Sequence, residues 1–255
     1  MADTIAIGAH EEPKPGMPVE VLIARHPQVE ANVAGRFVGT GESAFTELGE
    51  KQCAALAAYI AAWKPFSVHT SPRLRARAVA DLAASQAGVE VHVDDDLAEI
   101  DFGAAEGLTY EEAVRNGVDI DLLGGPPESA PFRDGETWRT FASRIAAAAL
   151  RIETCGPRIA VVAHGGVVRA LLAHWLALPE TAAWRFAVPN ASVATITLWD
   201  GTGTLRTFGI EPDGALACVG DTSATGSVWE RMAEKAESDA EAADPPKPLF
   251  PDPRD

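Results

Sequence analysis

The sequence predicts an α/β fold: a three-layer sandwich with a mainly parallel central sheet and helices on both faces. Three observations predict it. Short apolar runs suited to buried strands occur at residues 19–24 and 158–163, and 67–70 looks like a further short strand. Helix-like stretches alternate with them, a pattern that folds into a layered, mainly parallel sheet. The composition is that of a globular protein, with 255 residues, 47% hydrophobic and 23% charged, and a chain of that length can bury a core without disulfides or structural metals.

Taken in order, residues 1–18 are polar, carry Pro and Gly, and read as a loose, flexible arm. The run VEVLIA at 19–24 reads as a buried strand that ends at Arg25-His26. Residues 46–63 read as a helix, with Thr46 able to cap it and Glu47 and Glu50 at the positive end of its dipole. SVHT at 67–70 is a short strand. Ser71-Pro72 follows, with Pro72 placed in the first turn of a helix that runs to about Ala87. Residues 90–94 suggest another strand.

Residues 109–116 and 137–154 read as helices separated by a Gly/Pro-rich loop. RIAVVA at 158–163 is a strand that runs into His164-Gly165-Gly166 and a helix over 167–177. Residues 192–199 and 204–210 alternate as antiparallel strands, with Asp200-Gly201 opening the turn between them. The domain so defined covers 19–220. Residues 221–255 hold nine acidic and four basic residues and end in a Pro-rich stretch. They read as an acidic tail with a short helix near 228–242.

Charge narrows the function. Lys plus Arg is 21 against 37 Asp plus Glu, a formal charge of −16. A surface of that sign repels nucleic acid and anionic membranes, so neither is an expected partner. The three cysteines, Cys53, Cys155 and Cys218, show no C-x-x-C spacing, which argues against a zinc ribbon or a redox pair. No apolar stretch reaches the roughly 18 residues of a membrane span, and the polar, acidic start is unlike a signal peptide. The expected location is the cytoplasm.

The chemistry gathers at strand ends, where sites in open α/β sheets form. Arg25-His26 closes one predicted strand, Ser71-Pro72-Arg73-Leu74-Arg75-Ala76 follows a second, and His164-Gly165-Gly166 closes a third and opens a helix. A single histidine at a strand end is more often structural than functional. Two of them, joined by several arginines, suit a pocket for a phosphoryl group, whose non-bridging oxygens need fixed cations around them. A guanidinium fork can give two hydrogen bonds to one phosphate.

At these residues the chain resembles the histidine phosphatase superfamily, with its phosphoglycerate-mutase-like fold. The resemblance rests on Arg25-His26, on Asn32-Val33-Ala34-Gly35-Arg36-Phe37-Val38-Gly39, and on the Ser71–Ala76 motif. It extends through Leu97-Ala98-Glu99-Ile100-Asp101-Phe102-Gly103-Ala104-Ala105-Glu106-Gly107 to Ala163-His164-Gly165-Gly166. The resemblance implies His26 as the nucleophile that becomes phosphohistidine, with Arg25 and Arg75 on the phosphoryl oxygens. It implies Asn32 as an amide donor, His164 as the second histidine, and Glu99 as the acid for the leaving oxygen.

Arg36 and Gly165 join Asn32 as substrate-binding candidates, Arg36 only toward the distal part of the substrate and otherwise as an ion-pair partner. Glu106 rivals Glu99 for the acid, but reads better as a helix-start or loop salt bridge. Arg73 and Arg77 line the mouth or face solvent. Arg169 reads as a salt-bridge partner and His69 as a core histidine. The resemblance implies no cofactor and no metal.

The sequence departs from the family in places. Pro27 stands where the family commonly has glycine, so that position offers no N–H to phosphate. Val29 replaces a common hydroxyl residue. The chain lacks the long, basic insertion between acid and second histidine found in the family's mutases. The expected activity is therefore hydrolysis of a small phosphorylated metabolite. Mutase-type phosphoryl transfer and a non-catalytic phospho-ligand binder stay open beside it. A homodimer also stays open.

Overall fold

The computed structural model describes residues 17–118 and 130–212. The predicted helix at 228–242, the acidic tail and nearly all of the N-terminal arm lie outside the described residues. In chain order the elements are β1 (Val19–Arg25), α1 (Glu30–Val33), α2 (Glu47–Ala62), β2 (Ser67–Thr70), α3 (Leu74–Ala87) and β3 (Val91–Val93). They continue with α4 (Tyr110–Arg115), α5 (Trp138–Ile152), β4 (Arg158–Ala163), α6 (Gly165–Trp175), β5 (Val193–Trp199) and β6 (Thr202–Ile210).

The strands form one sheet in the order β3-β2-β4-β1-β5-β6. The first four are mutually parallel, while β5 and β6 run antiparallel to their neighbours. The sheet is thus mixed, parallel where the histidines lie. Asp200 and Gly201, both at positive φ (46° and 73°), make the tight β5–β6 turn that Asp-Gly predicts.

Strand periodicity divides the core in two. Along β1, Val21 and Ile23 join one hydrophobic cluster with residues of α5 and α6, while Leu22 and Ala24 join another with residues of α2 and α3. Each strand residue faces the layer opposite to its neighbour's, so a continuous apolar run is needed to cover both faces. Val21, Leu22, Ile23 and Ala24 are all fully buried; burial of each larger side chain among them contributes about 1.5–3 kcal/mol. The three-layer prediction holds.

Two helix starts differ from the expectation. α3 begins at Leu74 with an extended Arg73 as its cap, so Pro72 precedes the helix instead of lying in its first turn. The Ser71 hydroxyl accepts the Arg73 N–H and closes a turn there first. α6 begins at Gly165, two residues earlier than predicted, directly after an extended His164.

Candidate active site

Strand register builds the site. In the parallel β1–β4 pair Arg25 lies opposite Ala163, and in the β2–β4 pair Thr70 lies opposite Val162. The residues that follow, His26, His164 and Ser71, therefore emerge side by side at adjoining carboxyl ends. The His26 N–H donates to the Ala163 carbonyl at 2.9 Å. The imidazoles of His26 and His164 meet edge to face, with centroids 5.2 Å apart and an interplanar angle of 61°. Both histidines are buried.

Nδ1 of His26 lies 2.7 Å from the Pro27 carbonyl oxygen. A carbonyl only accepts, so Nδ1 carries the hydrogen and Nε2 keeps its lone pair. Pro27 has lost its own N–H, yet its carbonyl sets the tautomer. Burial, then the charges of Arg75 and Arg25, hold the His26 pKa well below its usual value, against the pull of the Pro27 hydrogen bond. The ring is neutral near pH 7. His164 is lowered in the same way, by burial first and then by Arg75, His26, Arg25 and Arg73. Its Nε2 lies 2.7 Å from Ser71 Oγ, while its buried Nδ1 meets no hydrogen-bond partner among the described residues.

The loop at 190–192 supports the end of β1 from the other side. The Asn190 amide nitrogen donates to the carbonyls of His26 (3.2 Å) and Pro27 (3.4 Å) and to Asn32 Oδ1 (3.1 Å). Asn32 Oδ1 also accepts the Val29 N–H. The Asn32 oxygen is thus committed, which orients its amide nitrogen as the group able to donate elsewhere.

The arginines are placed unequally. Arg25 Nη1 donates to the Val188 carbonyl at 2.6 Å. The buried Arg75 sends Nη1 to the Gly41 carbonyl and Nη2 to those of Val38 and Gly39, while its buried Nε has no hydrogen-bond partner among the described residues. Arg169 is also buried, and a Cβ on Gly165 would stand 3.2 Å from its Nη1 and 3.6 Å from Arg25 Nε. Burial, then neighbouring Arg25, presses the Arg169 pKa down to about 9 against the pull of Glu99. It is part of the site's cationic wall, beyond the salt-bridge role expected for it.

Glu99 reaches the same place. Its Oε2 accepts the Gly166 N–H at 3.1 Å and its Oε1 accepts the Ile100 N–H at 3.1 Å. The carboxyl therefore sits at the N-terminus of α6, where free N–H groups and the dipole favour an anion. A Cβ on Gly166 would run into this carboxyl. Glu106 stays in the loop as expected, but its carboxylate is held by backbone N–H groups and not in the expected salt bridge. Its two oxygens accept the N–H groups of Gly39 and Gly41, bracing the loop that holds Arg75.

The structure thus gathers His26, His164, Glu99, Arg25, Arg75, Asn32 and Gly165. Arg36 takes the ion-pair role offered for it beside contact with the distal part of the substrate. Its Nη1 donates to Glu112 and to the Gly107 carbonyl, both at 2.7 Å. The guanidinium pairs with the neighbouring carboxylate and ties the 36–37 segment to α4. Sequence reasoning gave no role to Ser71, Gly166, Asn190 or Arg144. Ser71 stood in a quoted motif at a strand end, which was a usable signal; Asn190 precedes an ordinary strand and gave none. Among the described residues no group of three or more His, Cys, Asp or Glu is placed to hold a metal ion, and no helix is long and apolar enough to cross a membrane.

A three-layer α/β sheet with two buried histidines side by side at its strand ends is a phosphoglycerate-mutase-like architecture. The chain belongs to the histidine phosphatase superfamily (branch 1), whose family model matches residues 21–211. It is 31% identical over 195 residues to the bifunctional protein Rv2228c of Mycobacterium tuberculosis, covering 75% of this chain but 54% of that protein. The chain therefore spans about half the length of that relative. It is 29% identical over 197 residues to the adenosylcobalamin/alpha-ribazole phosphatase of Salmonella typhimurium, covering 74% of this chain and 95% of that one. A phosphoserine phosphatase structure from Entamoeba histolytica superposes with a TM-score of 0.65 at 25% identity, covering 75% of this chain and 96% of that one.

Proposed function

We propose that the protein is a phosphomonoesterase that hydrolyses a small phosphorylated metabolite through a phosphohistidine. The observation that carries this reading is the neutral His26 ring, its Nε2 lone pair left free by the Nδ1 bond to Pro27, facing His164 inside a wall of buried arginines. Relatives named as phosphatases support it.

In the proposed reaction His26 Nε2 attacks phosphorus. The N–P bond forms as the P–O ester bond breaks, and the leaving oxygen takes a proton from the Glu99 carboxyl. Water then attacks phosphorus and gives a proton to the Glu99 carboxylate. The N–P bond breaks, its electron pair returns to Nε2, and inorganic phosphate leaves. Arg25, Arg75 through Nε, Arg169, the Asn32 amide and His164 Nδ1 stabilise the charge on the transferred group, which in phosphoryl transfer is most of what a protein has to supply. Splitting one displacement into two is the gain from the covalent step.

Acid-quench labelling with a radioactive phosphomonoester tests the reading. An acid-labile phosphoprotein should form in the wild type and vanish in His26→Ala. A binder without catalysis yields no label. A panel of phosphomonoesters run beside 3-phosphoglycerate with 2,3-bisphosphoglycerate separates hydrolase from mutase, and faster mutase turnover would overturn the hydrolase assignment.

A further inference from the structure

We propose that Arg144, paired with Glu136, is the positioning residue that aims the carboxyl of Glu99 at the leaving group. The inference rests on the assignment of Glu99 as the acid in the reaction above.

Glu99 lies on an irregular segment: between the 3-10 turns at Asp95–Leu97 and Gly103–Ala105 no strand or helix holds the backbone. Backbone groups there need partners from elsewhere. Arg144, on α5, supplies them. Its Nη1 donates to the carbonyls of Asp96 and Ala98, both at 2.7 Å, and its Nη2 to the carbonyl of Glu99 at 3.1 Å. The remaining edge of the guanidinium is held by Glu136, with Nε to Oε1 at 2.7 Å and Nη2 to Oε2 at 2.8 Å. Glu136 then grips the far side of the segment. Its N–H donates to the Asp101 carbonyl at 3.0 Å, and its Oε2 accepts the Asp101 N–H at 3.4 Å. The backbone is pinned on both sides of Glu99.

The carboxyl of Glu99 touches only N–H groups in these bonds, those of Ile100 and Gly166. Where it points is therefore set by where its backbone is held, and Arg144 holds it. Arg144 and Glu136 side chains are only 17% and 11% exposed. Burying an ion pair this far is a poor source of stability, since well-packed apolar residues serve as well. Five donors in one plane, shared among three carbonyls and a carboxylate, are a better fit to a need for fixed geometry. A lysine offers three donors from one point and cannot reproduce the pattern. Small misplacements of a catalytic group are enough to slow a reaction severely.

Leaving-group dependence separates positioning from general support. Aryl esters such as p-nitrophenyl phosphate leave without protonation; alkyl esters such as β-glycerophosphate need the acid. General acid catalysis contributes roughly 10²–10⁴-fold, so Arg144→Lys should lower kcat on the alkyl ester by about tenfold or more and on the aryl ester by less than about threefold. Glu136→Gln should show the same bias at smaller size; it keeps the side-chain volume and one acceptor, and carries the comparison if Arg144→Lys does not fold. Glu99→Gln is the control. If Glu99→Gln shows the bias and the Arg144 and Glu136 variants lose both activities equally or neither, the positioning role is wrong. If Glu99→Gln itself shows no bias, the acid assignment fails, and the positioning role with it.

Discussion

Ser71 and His164 come from different strands and meet at 2.7 Å, hydroxyl oxygen to Nε2. Ser71 Oγ already accepts the Arg73 N–H, so its own hydrogen is available for Nε2, and the ring's hydrogen then sits on Nδ1, which has no acceptor among the described residues. Ser71→Ala removes this control. It leaves a buried ring nitrogen unsatisfied, at a cost of about 1–3 kcal/mol, and lets the imidazole change tautomer. The expected result is a lower kcat in a protein that still folds; unchanged steady-state turnover would rule the interaction out of the reaction.

Gly166→Ala is the sharpest steric probe of the site. The added methyl would meet the Glu99 carboxyl and the Phe141 ring. Glu99 must then move off the N-terminus of α6 and lose the Gly166 hydrogen bond. Activity on alkyl phosphates should fall far more than the melting temperature. Wild-type rates in Gly166→Ala would show that the Glu99 position is immaterial.

Stability should respond to pH through the buried histidines. His26 and His164 are held well below the usual imidazole value, and His69 is lowered to about 4 by burial and by stacked His92, against the pull of Asp94. In the unfolded chain these rings take up protons below about pH 6.5, while in the folded chain they remain neutral. The unfolded state binds more protons, so stability falls as pH drops below about 6.5 and the contribution is complete above it. Urea midpoints measured between pH 7.5 and 5 should fall less steeply in His26→Asn than in wild type. Parallel curves would falsify the assignment.

Glu106 should matter for anion binding without touching the anion. It fixes the N–H groups of Gly39 and Gly41, and the carbonyls of that loop hold Arg75. Glu106→Ala leaves these groups unpaired, a loss of about 1–3 kcal/mol. Vanadate or phosphate should bind more weakly by roughly tenfold, the equivalent of about 1.4 kcal/mol. An unchanged inhibition constant would detach the loop from Arg75's role.

What could be read in advance follows from where information is local. The strands ending at Arg25 and Ala163 were legible because parallel strands buried on both faces are continuously apolar, and the residues just beyond them were the candidates. Thr46 and the 46–63 helix were legible because capping is a short-range rule. Arg144 was opaque, and Arg36 was legible as an ion-pair partner but not as the partner of Glu112, for a common reason. An arginine's destination depends on which carboxylate or carbonyl the fold brings near, and Glu112 and Glu136 were identifiable as partners only in three dimensions. Asn190 was opaque likewise, since its partners His26, Pro27 and Asn32 lie at the other end of the chain.

The pairing of β1 with β4 joins the first described strand to one far later in the chain. Contacts so distant along the polypeptide form slowly, because loop closure has to precede their reward. Local helices such as α2 and α5 can appear long before that closure. A refolding or nascent chain should therefore show most of its helical signal while still inert. Turnover should return only with the slowest phase, when the two ends of the sheet's centre finally zip together.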